Sequence, residues 1–88
     1  MFSKEPIKIV LTIEPSSPIK VIEGSVQPFT KTINFEDGYS IEITNRLFCD
    51  IEIELTLDRY IEVDEAKYKI MQIITWSNYL EVWLYKLK

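Results

Sequence analysis

The segment YSIEITNRLFCDIEIELTL, residues 39–57, alternates apolar and polar side chains along almost its whole length. Its odd positions are mostly aliphatic, whereas its even positions are mostly charged or hydroxyl-bearing. This period of two is typical of a strand with one buried face. Because strands usually have about 3 to 10 residues, the segment predicts either one long bent strand or two strands that meet near residues 45–50. Both alternatives make the fold all-β.

Shorter stretches with strand character lie on both sides of this segment. All four prolines and both glycines precede residue 39, and the later residues are rich in β-branched and aromatic types, which favour strands. Gly24 is the expected site of a bulge or sharp bend, and Asp37-Gly38 predicts a tight hairpin turn. The pattern predicts one small domain, residues 1–88, built as an antiparallel barrel or sandwich of about six strands. Besides the central segment, the stretches with strand character are residues 7–13, 19–26, 29–35, 61–63, 68–74 and 79–85.

The C-terminal stretch YKIMQIITWSNYLEVWLYKL, residues 68–87, is apolar on both faces if it is extended. A hairpin with its loop at residues 75–78 predicts that one face pairs Ile74 with Tyr79, Gln72 with Glu81, Ile70 with Trp83 and Tyr68 with Tyr85. The other face would then pair Ile73 with Leu80, Met71 with Val82 and Lys69 with Leu84. A small barrel buries one of these faces, so the N-terminal strands or another molecule must cover the second.

Two interpretations of this second face stay open. A large exposed aromatic patch is a usual mark of a binding surface, whereas a two-layer sandwich would bury most of both faces in its core. Under the first interpretation, the candidate residues of an assembly surface are Tyr68, Ile70, Trp76, Tyr79, Trp83 and Tyr85.

The charge and length of the chain argue against several classes of protein. The net charge of −4, with 14 acidic and 10 basic residues, disfavours general nucleic-acid binding, because phosphate affinity needs clustered lysines and arginines. Charges near the N-terminus disfavour a secretory leader. The uncharged run at residues 70–80 is shorter than the about 20 residues of a membrane-spanning helix. The lone Cys49 is expected to be a small apolar filler rather than a reactive thiol.

The sequence offers no evident catalytic group. It contains no histidine, which excludes a His-based general base, a Ser-His-Asp triad and a His-containing metal site. Its two glycines do not form a phosphate-binding loop. Asp50, Glu52 and Glu54 would be same-face neighbours on a strand, where a solvated polar face is a better interpretation than a cation site. We therefore expect no enzyme activity, no cofactor and no metal.

Binding of a protein partner or of single-stranded nucleic acid by a small β-barrel adaptor is an alternative function. Trp76, Tyr79, Trp83 and Tyr85 would serve as stacking platforms for bases. The electrostatics of the stretch do not favour this function, because Glu81 and the preceding acidic segment offset the few nearby basic residues, which are Lys67, Lys69, Lys86 and Lys88.

The segment VDEAKYKIMQIITWSNYLEVWL, residues 63–84, resembles the C-terminal part of small head-to-tail connector proteins of tailed bacteriophages, the head-closure or stopper group and related minor capsid proteins. The similar positions are Tyr60-Ile61, Val63-Asp64, Tyr68, Ile70, Trp76 and residues 79–84. Residues 24–28 and Asp37-Gly38 also look like the early strand and hairpin of that family. The chain departs from the family at Asp64-Glu65-Ala66, where Asp-Gly is frequent.

The resemblance implies a virion structural protein, encoded by a phage or prophage and assembled in the bacterial cytoplasm. Such proteins are small β barrels without a catalytic site that form a ring under the portal, join the capsid to the tail and help to retain packaged DNA. The implied partners are other copies of the chain, portal or adaptor proteins and tail proteins, with DNA only passing through a channel and with no membrane. Lateral ring contacts would explain the second apolar face. Glu52 and Glu54 would lie on an acidic channel face along which DNA slides.

Overall fold

The computed structural model describes residues 4–11 and 18–87, so the predicted end of the first strand at residues 12–13 lies outside the described residues, as does Lys88. Six antiparallel strands form one sheet that closes on itself in the order β1-β2-β3-β6-β5-β4. The predicted all-β antiparallel fold is confirmed. The strands are β1 (Glu5–Val10), β2 (Pro18–Asn34), β3 (Ser40–Cys49), β4 (Tyr60–Val63), β5 (Ala66–Thr75) and β6 (Leu80–Lys86).

The interior of the ring is filled by aliphatic side chains from the strands. Burial of one such side chain contributes about 1.5–3 kcal/mol, so these residues supply most of the driving force for folding. Cys49 is 8% exposed and belongs to this core, as expected for an apolar filler. The fully buried members of the main core cluster are Ile7, Ile9, Leu47, Ile61, Ile70, Val82 and Leu84.

Strand β2 runs through both of the strands predicted at residues 19–26 and 29–35. Its first half pairs with β1 and its second half with β3, and the change occurs at Gly24, which is opposite both Glu5 and Cys49. A Cβ atom at Gly24 would lie 2.7 Å from Leu47 Cδ1 and 2.9 Å from the backbone oxygen of Phe48. Glycine is therefore needed for this close approach. The irregular pairing between β2 and β3 lies between Pro28 and Lys31 instead of at Gly24.

The hairpin turn predicted at Asp37-Gly38 is confirmed. The Phe35 N–H donates to the Tyr39 oxygen at 2.8 Å, and the Gly38 N–H donates to the Phe35 oxygen at 3.1 Å. Gly38 has a φ of 94°, a left-handed conformation that glycine adopts without steric cost. Strand β6 pairs with residues 45–49 of β3. The part of the β2–β3 hairpin nearest its turn therefore extends past the end of β6.

The segment at residues 50–59 corrects the prediction for residues 39–57. Strand β3 ends at Cys49, and two turns follow it, so neither one long strand nor a second strand forms there. The Glu54 N–H donates to the Glu52 carboxylate at 3.0 Å, and the Leu55 N–H donates to the Glu52 backbone oxygen at 3.3 Å. Such local hydrogen bonds compete with strand pairing, and they replace it here despite the alternating sequence.

The ring topology explains why a loop is needed at this place. Strands β3 and β4 are three positions apart in either direction around the ring, so the chain between them must cross one end of it. Leu55 is 5% exposed and joins the core cluster, whereas Ile53 is 85% exposed. Leu55 is therefore the one aliphatic side chain of residues 50–59 that is buried in the core.

The β5–β6 hairpin has a different register from the predicted one. Its loop is residues 76–79, closed by a 2.9 Å hydrogen bond from the Trp76 N–H to the Tyr79 oxygen, with Thr75 opposite Leu80. The pairing shifts between Ile70 and Gln72, so Ile70 is opposite Leu84 and Gln72 is opposite Trp83. The predicted facing pairs are wrong, including Ile70 with Trp83 and Tyr68 with Tyr85.

This shift explains why β5, the first strand of residues 68–87, is apolar on both faces. An extra residue at Met71 moves the alternation of β5 by one position. Tyr68 and Ile70 before the shift, and Ile73 after it, all pack in or against the interior core. One strand thus directs even-numbered residues and then an odd-numbered residue towards the same interior.

The hairpin predicted after residues 61–63 is confirmed as a two-residue turn between β4 and β5. Val63 is opposite Ala66, and the turn residues Asp64 and Glu65 have φ values of 52° and 72°. Both values are positive, as in the turn type that suits the twist of a hairpin. Glu65 carries a Cβ atom in a conformation that glycine adopts more easily.

Candidate docking surface

The structure divides the six residues predicted to form an assembly surface. Tyr68 and Ile70 point into the ring and are 7% and 1% exposed, so they do not share a surface with Trp83. Trp76, Tyr79 and Tyr85 are exposed, and Trp83 is partly buried on the outside of β6. The outer face of the ring therefore holds the candidates that another molecule can reach.

Glu81 connects the two tryptophans on this outer face. The Trp76 indole Nε1–H donates to Glu81 Oε1 at 3.2 Å, and the Trp83 Nε1–H donates to Glu81 Oε2 at 3.0 Å. Arg46 Nη1 on the neighbouring β3 donates to the same Oε2 at 3.4 Å, which also makes an ion pair. Glu81 is 8% exposed, so these three donors replace the water that a carboxylate normally contacts.

The charge state of Glu81 follows from this environment. Burial alone would raise the pKa of its carboxyl group, but the indole donors of Trp83 and Trp76 and the charge of Arg46 outweigh burial and hold the pKa below its usual value. Glu81 is therefore ionised at neutral pH. An ionised carboxylate with three donors fixes the orientation of both tryptophans and does not act as a proton donor.

Arg46 is enclosed by aromatic rings. Its guanidinium carbon lies 4.5 Å from the centre of the Phe29 ring and 4.9 Å from the centre of the Phe48 ring. Phe29 in turn lies 5.5 Å from Trp83, measured between ring centres, and the Lys31 ammonium lies 5.1 Å from the Trp83 ring. Cations over aromatic faces are favourable, so residues of β2 and β3 cover much of the outer side of Trp83.

The loop between β5 and β6 carries the most accessible aromatic pair. Trp76 and Tyr79 are stacked, with ring centres 6.2 Å apart and an interplanar angle of 23°, and they are 47% and 39% exposed. Tyr79 also contacts Phe48 at 6.2 Å between ring centres. We call Phe29, Phe48, Trp76, Tyr79 and Trp83, together with Arg46 and Glu81, the aromatic surface.

A groove of about 300 Å³ opens beside this surface. Its walls come from β2, from the end of β3 and from the β5–β6 loop, and it includes Phe48 and Tyr79 of the aromatic surface. Its volume is at the lower end of the range for ligand sites. The remaining residues that line it are Lys4, Glu23, Ser25, Cys49 and Asp50.

Glu52 and Glu54, the residues predicted for an acidic channel face, lie in the loop at residues 50–59 rather than on a strand. Glu52 contacts Lys20 at 2.8 Å and Glu54 contacts Arg59 at 3.1 Å. The Lys20 ammonium and the Glu54 N–H lower the pKa of Glu52. These ion pairs offset much of the negative charge that an acidic channel face would need.

The basic residues considered for nucleic acid are spread over β5 and the end of β6. The Lys69 ammonium lies 4.9 Å from the Tyr60 ring, and Lys67 is opposite Glu62 across the β4–β5 hairpin. Lys86 is opposite Tyr68. None of these contacts belongs to the aromatic surface, so the structure does not bring these lysines together with the stacked Trp76 and Tyr79.

The sequence patterns did not identify Phe29 and Arg46 as site residues. Arg46 and Glu81 are 35 positions apart, and their contact depends on the pairing of β3 with β6, in which Arg46 is opposite Trp83. A short-range pattern carries no signal for such a pair. The spacing of Glu81 and Trp83 by two residues did indicate that they share one side of a strand.

Comparison with protein-family models finds no family that matches this chain, and comparison with curated proteins and with solved structures likewise finds no match. In the residues that the structure describes, no helix has the length and apolar character needed to cross a membrane. Across residues 4–11 and 18–87, no group of three or more cysteine or acidic side chains is placed to hold a metal ion. The aromatic surface remains the best-built candidate site.

Proposed function

We propose that this protein is a non-catalytic assembly subunit that docks onto partner proteins through the aromatic surface. The observation that carries this proposal is the exposed stack of Trp76 and Tyr79 beside a core that is already closed without them. Exposed tryptophan and tyrosine side chains supply much of the binding energy at protein interfaces. The Glu81–Arg46 pair holds this surface in one arrangement before a partner arrives, which lowers the entropic cost of binding.

At a finer level, we propose that the subunit is a head–tail connector of a tailed bacteriophage or prophage, which forms a ring between portal and tail. The support is the resemblance of residues 63–84 to the head-closure group, since this segment includes Trp76, Tyr79, Glu81 and Trp83 of the aromatic surface. In such a ring, the partners would be neighbouring copies of the chain and the portal and tail proteins. The loop at residues 50–59 would face the DNA channel, with Glu52 and Glu54 held by their ion pairs.

Single-stranded nucleic acid is the competing ligand for the stacked pair. Trp76 and Tyr79 present aromatic faces that suit bases, but the groove beside them carries the carboxylates of Glu23 and Asp50. Negative charge at this position opposes the approach of a phosphate backbone. A protein partner therefore fits the surface better.

The experiment is light scattering of the purified protein alone, with portal assemblies of tailed phages, and with single-stranded DNA. We expect the wild-type protein to join a portal assembly and a Trp76→Ala variant to remain free while keeping its far-ultraviolet circular dichroism. Tyr39→Ala is the matched control, because it removes another exposed aromatic side chain, at the β2–β3 hairpin turn, and should assemble normally. Assembly of the Trp76→Ala variant at wild-type level would contradict the proposal, and so would binding to DNA alone.

A further inference from the structure

The groove beside the aromatic surface combines an apolar floor with an acidic rim. Phe48, Cys49 and Tyr79 contribute mostly apolar atoms, whereas Glu23 and Asp50 contribute exposed carboxylates. The one basic residue that lines the groove within the described parts of the chain is Lys4. The carboxylates of the rim therefore outnumber its ammonium groups.

The floor of the groove is neutral but lies in a negative field. Burial, together with the charges of Asp50 and Glu52, raises the pKa of the Cys49 thiol to about 11. The thiol is consequently protonated at neutral pH and adds a small apolar surface to the floor. Of these two carboxylates, that of Asp50 lines the groove and attracts a cation that enters it.

We propose that the groove binds an extended segment of a partner protein in which an apolar side chain neighbours a lysine or arginine. The apolar side chain would contact Phe48 and Tyr79, and the cation would interact with Glu23 and Asp50. This inference rests on the proposed docking function, because Phe48 and Tyr79 also belong to the aromatic surface.

Charge complementarity selects this occupant over the hairpin turn of a second copy. The β2–β3 turn exposes Phe35 and Tyr39, but it places Glu36 and Asp37 between them. These carboxylates would meet Glu23 and Asp50, and like charges at close range oppose binding. The hairpin turn of a second copy is therefore a poor occupant, and a basic segment of a partner protein fits the rim better.

The first test uses two synthetic peptides, acetyl-Gly-Leu-Lys-Gly-Leu-Lys-amide and the same peptide with glutamate in place of lysine. The measurement is the change in amide chemical shifts of the isotope-labelled wild-type protein during titration. We expect the lysine peptide to shift the amides of Ser25, Phe48 and Asp50, and the glutamate peptide to leave them unchanged. No shift with the lysine peptide, or equal shifts with both, would overturn the inference.

A pair of charge-reversal variants locates the binding. Glu23→Lys combined with Asp50→Lys changes two exposed groove residues and should weaken binding of the lysine peptide about tenfold. Glu36→Lys combined with Asp37→Lys makes the same change in net charge at the hairpin turn and should leave binding unchanged. Equal weakening in both variants would mean that only net charge matters, which would overturn the assignment to the groove.

Failure of this inference is distinguishable from failure of the docking proposal. The groove variant is also mixed with the portal assembly that wild-type protein joins, and we expect it to join that assembly less. If it joins as well as wild type, the groove inference is wrong and the docking proposal stands. If wild type joins no portal but binds the lysine peptide selectively, the docking proposal is wrong and the groove assignment stands.

Discussion

At the scale of single residues, Glu81 determines how the outer face of β6 is arranged. Its two carboxylate oxygens accept hydrogen bonds from both tryptophans and from Arg46. A charged acceptor with several donors forms stronger hydrogen bonds than a neutral one. Removing its charge leaves Arg46 partly buried among aromatic rings without an anionic partner. Substitution or protonation of Glu81 should therefore lower the stability that the aromatic surface contributes to the fold.

We expect Glu81→Gln to lower the free energy of unfolding by about 1–3 kcal/mol at neutral pH. Urea unfolding followed by tryptophan fluorescence measures this change. Glu42→Gln, at an exposed position of β3, is the control and should have almost no effect. An unchanged stability of Glu81→Gln would show that the carboxylate does not hold the surface together.

The stability difference between wild type and Glu81→Gln should depend on pH. Because the folded protein holds the pKa of Glu81 below its ordinary value, the ionised carboxylate stabilises the native state above the unfolded pKa. This contribution is lost as the pH falls through the folded pKa. Urea unfolding at several values between pH 7 and pH 3 should show the two proteins converging in stability at the acidic end. A difference that stays constant would contradict the assigned ionisation.

At the scale of elements, the turns and loops decide how the strands close into a ring. The β4–β5 turn uses Glu65 at a φ of 72°, a conformation that costs a residue with a Cβ atom about 1–2 kcal/mol. The loop at residues 50–59 crosses the ring and contributes Leu55 to the core. The β4–β5 turn and the loop at residues 50–59 each lead to a separate prediction about stability.

Glu65→Gly should raise the free energy of unfolding by about 1 kcal/mol. Glycine adopts the left-handed turn conformation without a steric penalty, and this gain exceeds the added entropy of the unfolded chain. Thermal or urea unfolding of the variant and the wild type measures this change in the free energy of unfolding. Glu65→Ala removes the same carboxylate but keeps the Cβ atom, so it should not stabilise the protein; equal gains in both variants would contradict the backbone explanation.

Leu55→Ala and Ile53→Ala form a matched pair for the loop. The first removes a buried side chain and should cost about 2–5 kcal/mol. The second changes a side chain that is 85% exposed and should alter stability by less than about 0.5 kcal/mol. Urea unfolding of both variants distinguishes a loop that buries Leu55 from a strand in which residues 53 and 55 share one buried face; similar costs would favour the strand.

At the scale of the whole molecule, local signals predicted the strands but left open whether they close into a barrel or form a sandwich. The alternation around Ser40–Cys49 and the Asp37-Gly38 turn were readable because they depend on neighbouring residues. The same alternation continues through residues 50–57, where the ring topology requires a crossing loop instead. The shift at Met71 was hidden because apolar residues occur on both sides of β5. The contact of Arg46 with Glu81 depends on which strands become neighbours.

The central claim is that a partner covers the aromatic surface, and quenching of Trp76 fluorescence tests it most directly. The chain has two tryptophans, so Trp83→Phe leaves Trp76 as the single emitter and keeps an aromatic ring at position 83. Acrylamide quenching is measured with and without a portal assembly that the protein joins. We expect quenching to be efficient in the free protein, where Trp76 is 47% exposed, and to fall clearly in the assembly. Unchanged quenching in an assembled sample would contradict the docking surface.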